Sequence, residues 1–63
     1  MTIAEYTVIM MKQHRGSWTK GIDKNGEIII INAKGKIMNG VAEPDGTIIS
    51  AETLLAMLEE EEA

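Results

Sequence analysis

Lys12, His14, Arg15, Trp18 and Lys20 form the densest group of chemistry-bearing side chains in this 63-residue sequence. Lysine and arginine neutralise phosphate, and an indole can stack on a base or wall a nucleotide pocket. The five residues are therefore the candidate ligand-binding patch. A more ordinary use competes for Trp18. In a chain with one tryptophan and no phenylalanine, the indole is well suited to fill the core at a sheet edge while its N–H finds a partner. His14 reads as a helix-end cation or a solvated side chain rather than an acid–base catalyst.

Catalysis finds little support elsewhere. The chain has no cysteine, which excludes thiol chemistry, and a hydroxyl triad would have His14 as its only base. Gly16, Gly21 and Gly26 recur every five residues but match neither the dinucleotide fingerprint nor a phosphate loop. Asp23, Glu27, Glu43 and Asp45 could supply paired carboxylates, yet all four flank turns and are expected to face water. One histidine and no thiol give no metal site, and no cofactor signature is present. The chain is read as a binding protein and not an enzyme.

The elements that must position these residues are punctuated by turns. Asp23-Lys24-Asn25-Gly26, Ala33-Lys34-Gly35-Lys36 and Glu43-Pro44-Asp45-Gly46 each separate runs rich in β-branched residues, and each offers a glycine where positive φ is cheap. They divide the middle of the chain into strands at Trp18–Ile22, Glu27–Asn32, Lys36 to Val41 or Ala42, and Thr47–Ser50. Asn25-Gly26-Glu27-Ile28-Ile29 and Asp45-Gly46-Thr47-Ile48-Ile49 share one form, which any turn feeding a buried strand can produce.

Ser50 is placed to cap a C-terminal helix whose Ala51, Leu54, Leu55 and Leu58 make one apolar stripe. Glu59 to Glu62 put four like charges at its end, where repulsion and the helix dipole oppose them, so residues 59–63 are read as a frayed acidic tail. At the other terminus, Thr2 and Glu5 have the spacing of a capping box and favour a helix from about Ile3 to His14, with Gly16 as terminator. Thr7, Val8 and Ile9 are β-branched, and Tyr6, Val8 and Met10 alternate as a strand would, which keeps a strand open as the alternative.

The fold expected is thus one α+β domain over residues 1–63: an antiparallel meander of three to four strands, a C-terminal helix and an N-terminal helix. Ile28 to Ile31 complicate it. Successive strand side chains point to opposite faces, so four isoleucines in a row make both faces apolar, more than a chain of this size is expected to cover. Ile37 and Met38 extend the effect to the next strand. A homodimer follows as the expectation, with Ile29, Ile31, Ile37 and Met38 at its interface.

Charge is segregated along the chain. All six Lys and Arg lie within residues 12–36, a stretch of net +4, whereas residues 37–63 hold seven acids and no base. No apolar run approaches the roughly 20 residues needed to span a bilayer and no leader pattern is visible, so the reading is cytoplasmic, without a membrane partner. Ile-rich, Lys-over-Arg usage suits an AT-rich source such as a low-GC bacterium or a phage. Together these observations point to a small accessory or regulatory protein that acts by protein–protein binding, of phage or mobile-element type. The alternative is a nucleic-acid or nucleotide binder using the basic and aromatic patch.

Overall fold

The computed structural model describes the backbone of residues 1–62 and the side chains of residues 1–60. It is an α+β fold: helix α1 (Ile3–Gln13), a 3-10 turn (Arg15–Ser17), strands β1 (Trp18–Ile22), β2 (Ile28–Asn32), β3 (Ile37–Met38), β4 (Gly40–Ala42) and β5 (Ile48–Ser50), and helix α2 (Ala51–Glu62). All strand pairings are antiparallel.

The N-terminal segment is helical because its start is doubly secured. Thr2 Oγ1 accepts the Glu5 N–H at 3.0 Å, and Glu5 Oε1 accepts the Thr2 N–H at 3.1 Å, closing the capping box. The β-branched run 7–9 is carried inside the helix, where Val8 packs into the core and Thr7 returns its hydroxyl to the Ile3 carbonyl. Gly16 does not terminate α1. The helix ends at Gln13, with His14 donating its N–H to the Met10 carbonyl, and Gly16 lies in the following 3-10 turn without a positive φ.

Three hairpin loops share one geometry. Their glycines, Gly26, Gly35 and Gly46, have φ of 80°, 82° and 91° and donate to the carbonyls of Asp23, Asn32 and Glu43, three residues before them. This is a β-turn followed by a left-handed glycine that forms a bulge, the common three-residue hairpin loop. The second loop begins at Asn32, one residue earlier than the turn chemistry of Ala33–Lys36 implies. Asp23 and Asn32 each turn Oδ1 back onto two backbone N–H groups of their own loop, at 2.8–2.9 Å. The form shared by residues 25–29 and 45–49 is therefore a turn geometry, and it occurs a third time at Gly35.

The single meander expected over residues 18–50 is instead two sheets, β1-β2-β3 and β4-β5. The predicted third strand, Lys36 to Ala42, breaks at Asn39. Gly40 explains the break: it pairs with Ser50, and a Cβ added there would overlap the Ile49 carbonyl oxygen. Only a glycine lets the two backbones approach this closely. The Asn39 carbonyl accepts the Ala51 N–H at 2.9 Å, so the point where the chain changes sheet also holds the start of α2.

Helix α2 begins as its sequence implies. Ser50 Oγ accepts the Thr53 N–H at 3.2 Å, and Ala51, Leu54 and Leu58 are buried. They meet Ala4, Val8 and Met11 of α1 and Ile30 of β2 in the one core cluster among the described residues. The expected fraying over 59–63 falls partly outside the described residues; Glu59 and Glu60 are helical and exposed.

Candidate functional site

The C-terminal half of α1 and the β2–β3 hairpin enclose an open groove of about 680 Å³. The lining residues Thr7, Met10 and Met11 of α1 and its C-cap residue His14 follow the i, i+3, i+4, i+7 spacing, so they share one side of the helix. That face adjoins the core stripe of Ala4, Val8 and Met11, with Met11 common to both. From the sheet come Trp18, Ile30 and Met38, which the ladder places on a single face: Ile30 lies opposite Met38, and Trp18 opposite Asn32, two residues further along β2.

The floor is consequently apolar and rich in sulfur: Met10, Met11, Met38, Ile30 and the indole of Trp18. Unbranched methionines present a polarizable surface that can repack around different shapes. Asn32, Lys36, Asn39 and His14 add polar groups among the lining residues. The volume falls in the range of roughly 300–1,000 Å³ typical of ligand sites.

Trp18 is anchored at both its ring and its N–H. Its Nε1–H donates to the Met11 carbonyl at 2.8 Å, so the indole caps one of the last carbonyls of α1 while its ring packs on the core. Of the five residues of the basic and aromatic patch, the structure brings Trp18 and His14 to the groove. Lys12, Arg15 and Lys20 are exposed and do not line it.

The four residues expected at a dimer interface divide among different environments. Ile29 retains only 4 % exposure within the single chain, because its side chain and that of Ile31 fold over Gly21 of β1, whose missing Cβ leaves the space. Ile31 is half-buried beside Ile37, which is 56 % exposed on the edge strand. Met38 points to the opposite face and packs against the core. One chain thus covers most of both faces of its isoleucine strand.

Of the carboxylates expected to face water, Glu43 does otherwise. Its two oxygens accept the N–H groups of Ile3 and Ala4, each at 2.8 Å, and so cap α1 from forty residues away. Two acids elsewhere are held below their ordinary range. Glu5 is lowered by the backbone N–H and then the hydroxyl of Thr2, and Asp45 by the backbone N–H and then the hydroxyl of Thr47.

Sequence reasoning missed Met10, Met11 and Asn32 as site residues. The helical spacing of 7, 10, 11 and 14 beside the core stripe was the available signal. Fold and groove together define a small α+β protein with an adaptable apolar cleft between a helix and a sheet edge. Comparison with family models, with curated proteins and with solved structures finds no match for the chain. No helix among the described residues is long and apolar enough to cross a membrane.

Proposed function

We propose that this is a small accessory or regulatory protein that acts by binding another protein, and that the groove between α1 and β3 is where it binds. The observation that carries the reading is the apolar lining: three methionines, two isoleucines and a tryptophan line an open cleft in a chain of 63 residues. Open apolar clefts of this kind suit the apolar face of a peptide or helix, and methionine tolerates several shapes of occupant. A random peptide library displayed against the protein tests it. Selected peptides are expected to shift the backbone amides of Met10, Trp18 and Met38, and to lose binding to the Met10→Ser variant. Peptides that map to another face, or no selected binder, would overturn the proposal.

Self-association is a separate proposal that keeps Ile31 and Ile37 of the four residues expected at a dimer interface. Ile37, half-buried Ile31, and the exposed Ile22 and Ile48 supply the apolar surface, whereas Ile29 and Met38 are taken up within the chain. Light scattering across concentration measures it directly. The nucleotide or nucleic-acid alternative has less support from the geometry. The indole N–H of Trp18 is already bonded to Met11, and three of the five patch residues lie outside the groove.

A further inference from the structure

The two segments that build the groove, residues 7–18 and 30–40, lie in acid-free stretches: neither 6–22 nor 28–42 contains Asp or Glu. Lys36 is itself a lining residue. Lys34 lies in the β2–β3 turn between lining residues Asn32 and Lys36. Both lysines are exposed, and no lining residue is acidic. Meanwhile the protein as a whole is acidic, with net charge −4. An apolar floor whose lining holds a lysine and no acid therefore sits on a molecule that would otherwise repel acidic chains.

We propose that the groove recognises an acidic, amphipathic peptide segment: one or two large apolar side chains seated on Met10, Met38 and Trp18, flanked by carboxylates that meet Lys36 and Lys34. This rests on the reading of the groove as a protein-binding site and adds the chemistry of the partner. The apolar anchors provide the burial, at about 25 cal/mol per Å² of area removed from water. The carboxylates provide selection, since complementary charge around an apolar centre steers encounter and disfavours basic segments. A nucleic acid would satisfy the lysines but leave the methionine floor without an apolar counterpart.

The test uses Trp18 as reporter, because it is the sole tryptophan and lines the groove. A set of tryptophan-free 12-residue peptides varies two features independently: the central anchors (Leu, Ile, Phe or Met against Ser) and the flanks (Glu, uncharged or Lys). Peptides with apolar anchors and Glu flanks are expected to change Trp18 emission and to bind about five- to tenfold tighter than the same anchors with Lys flanks at low salt, the gap narrowing in 0.5 M salt. Lys36→Glu, an exposed position, should shrink or reverse that preference while circular dichroism stays unchanged.

Equal binding of Glu- and Lys-flanked peptides overturns the acidic-partner inference and leaves the protein-binding groove standing. Binding of Glu-flanked peptides with Ser anchors as tight as that of the apolar set overturns it too, since the floor would then contribute nothing. If an oligothymidylate binds tighter than every peptide, or if no peptide perturbs Trp18 or the groove amides, the protein-binding reading falls as well.

Discussion

Trp18 donates its indole N–H to the backbone carbonyl of Met11, across the corner between the first helix and the first strand. The bond joins the two elements that form one end of the groove, and it leaves the ring fixed against the core. Trp18→Phe removes the donor and leaves the Met11 carbonyl without it. A loss of about 1–3 kcal/mol in unfolding free energy is expected, read from the urea midpoint by circular dichroism. An unchanged midpoint would show the bond to be dispensable.

Glu43 acts as a remote cap for α1, and its length matters. Glu43→Ala should cost about 1–2 kcal/mol and accelerate hydrogen exchange at the Ile3 and Ala4 amides. Glu43→Asp is the sharper test. The shorter side chain can fold onto its own loop as Asp23 and Asn32 do, but cannot keep the reach to α1. Fast exchange at Ile3 and Ala4 should persist in Glu43→Asp; slow exchange there would contradict the role.

Gly40 and Gly16 make a matched pair. Gly40→Ala drives a methyl against the Ile49 carbonyl and the Ser50 backbone, so a loss above about 2 kcal/mol is expected. Gly16→Ala meets nothing within 4 Å at a residue without positive φ and should stay within about 0.5 kcal/mol of the parent. Thermal or urea unfolding of the two variants decides between them.

Acid should weaken the fold in a defined direction. Glu5 and Asp45 are held below their ordinary values in the folded state, so the unfolded chain binds protons more readily. Their contribution is complete above the unfolded carboxylate range, near pH 4 to 4.5, and is lost as pH falls through the folded values. Urea midpoints measured from pH 7 to pH 2 should therefore fall below about pH 4.5. The double variant Glu5→Gln with Asp45→Asn should fall less steeply; an identical slope would remove these two groups as the cause.

Much of the secondary structure is legible because its signals are local. Thr2 with Glu5, Ser50 ahead of a leucine stripe, and three turn glycines each act within a few residues of themselves. The break at Asn39 is not legible in the same way. Lys36 to Ala42 reads as one strand, and what divides it is the close approach of Gly40 to Ile49, a partner nine residues further on. Ile29 is a similar case, since its burial depends on the empty space at Gly21 on a neighbouring strand. Trp18 and His14 reach the groove because they adjoin the end of α1, whereas Lys12, Arg15 and Lys20 share only their sequence neighbourhood with it.

The reach of Glu43 to the first turn of α1 has a consequence for the order in which the molecule folds. Helix α1 takes its N-terminal cap from the third hairpin and packs on α2, both of which follow it in the chain. Short isolated helices are marginal in water, so α1 must wait for both. The hairpins can close early by local contacts, and the first helix is fixed among the last.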